Sequence, residues 1–208
     1  MTAASDPDEH ADGRAGDPAC DNAGDPGSWL AEAQQVDLAL YRAVAGTPTP
    51  RLDAAMRRLS DAANYSRLSI AAAAILAMTG GDRGRRAAAS GLAALAATAT
   101  VVNVAVKPFG RRRRPDRLAG NVPADRHVRM PRSRSFPSGH TAAAEAFASG
   151  VGNVVPAAGL PLHALAALVG YSRVHTGVHY PGDVVAGALI GAITADITTG
   201  MLARRGLA

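Results

Sequence analysis

After residue 28 the apolar residues of this chain recur at helical spacing, and the polar positions between them mark out the elements. Trp29, Leu30, Ala33, Val36, Leu40, Tyr41 and Val44 lie three or four apart, while Glu32, Asp37 and Arg42 break any continuous span. This predicts an amphipathic helix lying in a membrane interface, although a soluble helical pair gives the same pattern. The TPTP turn at 47–50 ends it, and Leu52, Met56 and Leu59 predict a second amphipathic stretch before Tyr65. About five apolar spans follow, over 66–82, 87–106, 141–158, 161–175 and 184–203, with a short charged connection of Asp82, Arg83, Arg85 and Arg86 between the first two. Residues 87–106 carry no formal charge, and at 1.5 Å per residue they cover roughly 30 Å, the thickness of a hydrocarbon core. Glu145 and Asp196 interrupt later spans, and many positions are Ala or Gly, which lowers hydropathy but allows helices to approach closely in lipid. The pattern therefore predicts an all-α fold, an integral membrane helical bundle of about five transmembrane helices with an N-terminal amphipathic helix; an Ala-rich soluble bundle is the competing architecture.

Composition adjusts this picture at the N-terminus. The first 28 residues are acidic, rich in Gly and Pro and without an apolar run, so they read as a disordered tail. No basic stretch followed by an apolar one occurs there, so any membrane insertion is expected from internal segments. The domain plan is thus a tail over 1–28, interfacial helices over 29–64 and a transmembrane domain over 65–205. With 208 residues there is room for about one domain. The single Cys20 excludes an internal disulfide and a cysteine-cluster metal site. Heavy use of Ala and Arg with one lysine resembles GC-rich bacterial coding.

The net charge of +5 averages two unlike parts, because residues 1–37 hold nine acids against one arginine. The basic density peaks over 107–134, where Lys107 and nine arginines face only Asp116 and Asp125. Phosphate, nucleic acid or lipid headgroups would each suit such a stretch. If Arg83–Arg86 and the terminal Arg204 and Arg205 are cytoplasmic, alternating spans bring 107–140 and 175–183 together on the opposite, extracytoplasmic side.

Three motifs lie in those two loops. In Lys107-Pro-Phe-Gly-Arg-Arg-Arg-Arg114-Pro115, an ammonium is followed by planar guanidiniums that can grip phosphate oxygens bidentately. Taken alone, such a cluster equally fits binding of anionic lipid or nucleic acid without catalysis. In Phe136-Pro137-Ser138-Gly139-His140-Thr141, Ser138 is a candidate N-cap, leaving a cradle of N–H groups in which Ser138, Gly139 and His140 can face one phosphate. In Ser172-Arg173-Val-His175-Thr-Gly-Val-His179-Tyr-Pro181-Gly-Asp183, Pro181 is expected in the first turn of the last helix, with His179 just outside it. Asp183 can then fix the tautomer of His179 and leave its other nitrogen free to attack phosphorus. His175 has no such partner nearby and reads as a packing or outer-shell residue. No specific metal-ligand spacing links His140, His175 and His179.

Together, K-x6-RP, PSGH and SR-x5-H-x3-D resemble the three-part signature of the type 2 phosphatidic acid phosphatase (PAP2) family. The resemblance covers 107–183 in motifs and about 60–203 in fold. It implies a bacterial, multi-pass membrane phosphatase of the haloperoxidase-like fold, acting on a membrane lipid rather than nucleic acid, with no cofactor and no obligatory metal. Carried over residue by residue, it makes Lys107, Arg114 and Arg173, assisted by Ser138 and Gly139, the phosphate-binding set. His179 would be the nucleophile, Asp183 its orienting partner, and His140 the acid that protonates the leaving oxygen and then activates water. Arg111, Arg112 and Arg113 fall outside the motif positions and read as substrate-guiding, headgroup-contacting or merely solvated charges. Polyprenyl pyrophosphate, polyprenyl phosphoribose phosphate, phosphatidylglycerol phosphate and phosphatidate are all compatible substrates. A vanadium-dependent haloperoxidase would use the same oxyanion pocket.

Overall fold

The computed structural model describes residues 26–206, and among these every regular element is helical. Seven α-helices follow in order: α1 (Pro26–Gly46), α2 (Pro50–Ala62), α3 (Arg67–Thr79), α4 (Gly81–Thr100), α5 (Gly139–Gly152), α6 (Pro156–His175) and α7 (Pro181–Arg204). The chain divides into two compact units, Met1–Gln35 and Val36–Ala208. Of the first, the described part is the opening of α1, where Trp29 and Leu30 are exposed. The tail expected over 1–28 lies mostly outside the described residues, and α1 already begins at Pro26.

Helix boundaries follow local chemistry. Proline lacks the N–H that a helix interior needs but fits its first turn, and Pro50, Pro156 and Pro181 each open a helix. The span expected over 141–158 is accordingly cut in two, with α5 ending at Gly152 and α6 starting at Pro156. The charged connection expected at 82–86 is instead the opening of α4, where Asp82 and Arg85 pair along the helix surface.

Among the described residues two helical stretches are long and apolar enough to cross a membrane, Gly81–Val106 and Pro181–Arg204, rather than five. Physical length accounts for part of the difference: the 13 residues of α3 and 14 of α5 reach only about 20 Å. Helix α6 has 20 residues but carries His163, Ser172, Arg173 and His175.

Helix α5 is the centre of the second unit, packed against α4, α6 and α7. Its Ala142, Ala146, Phe147, Ala148 and Val151 are almost wholly buried. Close approach of α7 is what the small residues provide: Cβ atoms added at Gly187 and Gly191 would lie 2.5 Å from the Ser138 carbonyl oxygen and 2.4 Å from that of Ala142. Gly187, Gly191 and Ala195 thus form a stripe at four-residue spacing along the buried face. Val185, Leu189, Ile193, Ile197 and Met201 line the opposite, exposed face, as suits a helix flanked by lipid. Between α4 and α5, the Ser90 hydroxyl donates to the Gly150 carbonyl at 2.8 Å.

Enlarging residue 191 would force apart backbones that touch, at a cost of about 2 kcal/mol or more. Gly191→Leu is expected to lower the unfolding temperature of the detergent-solubilised protein markedly. Gly200→Ala, where an added Cβ meets nothing within 4 Å, is expected to leave it unchanged or slightly raised.

Candidate active site

The start of α5, the start of α7 and the loop after α4 converge on one locus. Backbone atoms set the frame: the Ser138 N–H donates to the Asp183 carbonyl at 2.9 Å. This ties the PSGH turn directly to the H-x3-D turn.

Asp183, in the first turn of α7, is fully buried yet richly served by donors. Its Oδ2 accepts from the Tyr180 N–H at 3.0 Å, from His179 Nδ1 at 3.3 Å and from the Ser135 hydroxyl. Its Oδ1 accepts from Arg112 at 3.2 Å. These bonds compensate the loss of water around a buried carboxylate.

His179 sits between a carboxylate and a guanidinium. Arg114 NH1 lies 3.1 Å from His179 Nε2 and also donates to the Val178 carbonyl at 2.8 Å. A guanidinium can only donate, so Nε2 presents its lone pair and Nδ1 holds the proton, donated to Asp183. Burial pushes the His179 pKa down to about 4; the Asp183 hydrogen bond opposes this, and the charges of Arg114 and Arg173 add to it. The imidazole is therefore neutral at pH 7, as a nitrogen nucleophile requires.

The remaining phosphate-binding candidates of the motifs cluster around this pair. Lys107 follows a π-helical turn, Val101–Val106, and its N–H bonds the Val102 carbonyl five residues back at 2.9 Å. Such turns are concentrated at functional sites. Its Nζ bonds Asn103 Oδ1 at 3.2 Å and lies 3.3 Å from where a Cβ on Gly139 would stand. Burial, then the charge of Arg114, lowers the Lys107 pKa. Arg173 is buried at 1% exposure; it donates to the Ser60 hydroxyl at 2.7 Å and carbonyl at 3.2 Å, and its Nε has no partner among the described residues. His140, in the first turn of α5, has Nε2 3.0 Å from Asn64 Oδ1. Burial and the charges of Arg173, His179, Lys107 and Arg114 push its pKa down to about 3. Cations crowded this closely repel one another, and a bound dianion would offset that repulsion.

Three expectations change. Ser138 holds the N-cap position of α5, but its hydroxyl pairs with Thr141 Oγ1 at 2.9 Å instead of capping a backbone N–H. Arg112 is not a solvated loop charge: it bonds Asp183 and Asp37 and stacks 4.0 Å above the Tyr180 ring. Asp37, on α1, also accepts the Gly182 N–H at 2.7 Å. His175 proves to have a partner after all, Asp53 Oδ1 at 2.9 Å, and the same oxygen meets the buried Arg126 Nε at 2.9 Å. Sequence reasoning missed Asp37, Asp53, Ser60, Asn64 and Arg112 as site-supporting residues. All but Arg112 lie far along the chain from the motifs they serve, and only spatial proximity identifies any of them. Among the described residues no group of three His, Cys, Asp or Glu is arranged to hold a metal ion.

Imidazole NMR on the intact protein, assigned by comparison with His179→Ala, checks this electrostatic reading. His179 is expected to titrate near pH 4 and not near 6.5. Asp183→Asn, which removes the bond that favours the imidazolium, should move it lower, and Arg114→Gln should move it higher.

The arrangement has counterparts among known proteins. The structure superposes on Aquifex aeolicus LpxE with a TM-score of 0.63 at 27% identity, over 79% of this chain and 95% of that one. It superposes on a transmembrane PAP2 type phosphatidylglycerolphosphate phosphatase from Bacillus subtilis with a TM-score of 0.62 at 24% identity, over 83% and 87% respectively. In sequence it is 39% identical over 100 residues to a decaprenylphosphoryl-5-phosphoribose phosphatase of Mycobacterium tuberculosis, covering 48% of this chain and 52% of that protein. The chain thus spans about half the length of that relative. The fold is all-α of the PAP2/haloperoxidase-like type. With its two candidate spans, this likeness makes it a bacterial membrane protein that crosses the bilayer at least twice. The family model for the PAP2 superfamily matches residues 87–206, which include all three motifs, and the chain belongs to that superfamily.

Proposed function

We propose that this chain is a membrane lipid phosphate or pyrophosphate phosphatase, cleaving a phosphomonoester or terminal phosphoanhydride through a phosphohistidine. The observation that carries this reading is the state of His179: Nδ1–H is held by Asp183 and the Nε2 lone pair faces the cationic cluster at Arg114. Lys107, Arg114 and Arg173, with Ser138 and the Gly139 backbone, hold the non-bridging oxygens. The Nε2 lone pair forms the N–P bond as the bond from phosphorus to the leaving oxygen breaks, and His140 gives that oxygen a proton. His140 then takes a proton from water, whose oxygen displaces the imidazole and releases phosphate. In the resting site His140 is neutral, with its pKa pushed down to about 3. A phosphate dianion opposes the same cations that push it down, so substrate binding itself raises the pKa of the acid.

Membrane residence favours a substrate whose apolar chain stays in lipid, and the mycobacterial relative's name points to a polyprenyl-linked envelope intermediate. Phosphatidylglycerol phosphate, named for the Bacillus protein, and phosphatidate are the alternatives. We further propose a phosphatase domain over 65–205, preceded by interfacial amphipathic helices over 29–64 and an acidic tail over 1–28. Arginines at the start of α4 and end of α7 support a cytoplasmic location for those ends and an extracytoplasmic site.

Purified protein is expected to release phosphate from lipid phosphates with chelator present. His179→Ala should abolish both turnover and acid-labile protein phosphorylation, whereas a phosphohistidine retained in that variant would remove the nucleophile assignment. Vanadate-dependent halide oxidation without phosphatase activity would favour the haloperoxidase reading. For orientation, protease added outside sealed right-side-out vesicles should cut within 107–138; protection there with cleavage from inside would reverse the proposed topology.

A further inference from the structure

A cavity of about 490 Å³ opens directly over His140, and its wall includes Asn64, Tyr65, Arg129 and Arg132. Asn64 holds His140 Nε2 at 3.0 Å within this wall. Among the described residues no carboxylate lines the cavity. The basic loop contains many arginines, but they differ in what they already do. Arg112, Arg114, Arg117 and Arg126 are engaged with carboxylates, carbonyl groups or both. Arg129 and Arg132 are exposed and make no hydrogen bond or ion pair among the described residues. They also border a cavity that His140 shares with the basic loop.

We propose that this cavity is a leaving-group subsite for a second phosphate-type anion, with Arg129 and Arg132 as its specificity-determining residues. The inference rests on the phosphatase reading above. There, the atom that receives the proton of His140 is the leaving oxygen, so whatever that oxygen is attached to extends into the space His140 faces. The scissile phosphoryl group itself is held elsewhere, by Lys107, Arg114 and Arg173. Two unpaired guanidiniums in the leaving-group space are complementary to an anion and gain nothing from a neutral alcohol such as diacylglycerol. The substrate class is therefore a lipid whose leaving group remains charged after phosphate departs. This is either a pyrophosphate, which leaves as a lipid monophosphate, or a phosphomonoester whose alcohol carries a phosphodiester. In both, one water is consumed, the P–O bond to the leaving group breaks, and the departing oxygen carries away a proton from His140. The two differ in how much the oxygen needs it: a phosphate oxygen leaves well without a proton, and an alkoxide does not.

Wild-type and Arg129→Gln/Arg132→Gln proteins, as full chains in uncharged detergent without anionic lipid, would be compared on polyprenyl pyrophosphate, phosphatidylglycerol phosphate and phosphatidate. The double substitution should lower kcat/KM about tenfold or more on the substrates with a charged leaving group, through KM, and leave phosphatidate within about twofold. An equal loss on all three, no loss on any, or a wild-type preference for phosphatidate would overturn the subsite. His140→Gln then separates the two sources, harming the phosphomonoester more than the pyrophosphate. A readout independent of turnover uses calorimetry on His179→Ala with inorganic pyrophosphate and orthophosphate. Pyrophosphate should bind about tenfold more tightly, and the arginine double substitution should erase the difference; equal binding of the two anions would count against the subsite. A wild-type protein that hydrolyses none of the lipids would defeat the phosphatase reading, while the calorimetry would still decide whether two adjacent anion sites exist.

Discussion

The hydrogen bond from the Ser138 N–H to the Asp183 carbonyl joins two helix starts, and the geometry of the candidate site depends on it. It can form only because α7 lies against α5 with no side chain between them. The Ser138 carbonyl oxygen occupies the place a Cβ on Gly187 would need, and one turn further the Ala142 carbonyl does the same at Gly191. Small residues in the middle of a membrane helix thus have a consequence at its end. They bring His140 and the cradle of α5 within electrostatic reach of His179 on the approach to α7.

Around that joint, polar groups are arranged so that each buried charge is answered. Asp183 receives four hydrogen bonds, and one of its donors, Arg112, is itself fixed by Asp37 and the face of Tyr180. Asp53 answers Arg126 and His175 behind the site. The exceptions are informative. Arg173 Nε is buried without a partner, and Lys107 has only the Asn103 side chain. Those incompletely answered cations stand together beside the neutral His179, which is the arrangement a phosphoryl group would complete.

The N-terminal helices are more closely tied to the chemistry than amphipathic surface helices need be. Asp37 of α1 and Ser60 of α2 hold Arg112 and Arg173 respectively, and Asn64, just after α2, holds His140. A membrane-surface location for these helices would couple site geometry to the lipid interface through three short polar contacts.

By itself the sequence determined the helical class, the start of α7 at Pro181 and the motif residues that meet at the candidate site. These depend on local rules: a 3.6-residue period, prolines at helix starts, and a four-residue step that lets Asp183 reach His179. What it read less well were crossings and partners. A count of apolar residues treated 141–158 as one span, whereas Pro156 divides it, and charges at 82–86 looked like a loop although they decorate a helix start. The role of Arg112 among neighbouring arginines was not readable at all. Asp37 lies 75 residues away along the chain and Asp183 lies 71 away, and no local period encodes such distances. Tertiary structure decided which arginines are spent on the protein's own carboxylates and which, like Arg129 and Arg132, remain to meet a ligand, because that choice is made by packing of distant segments.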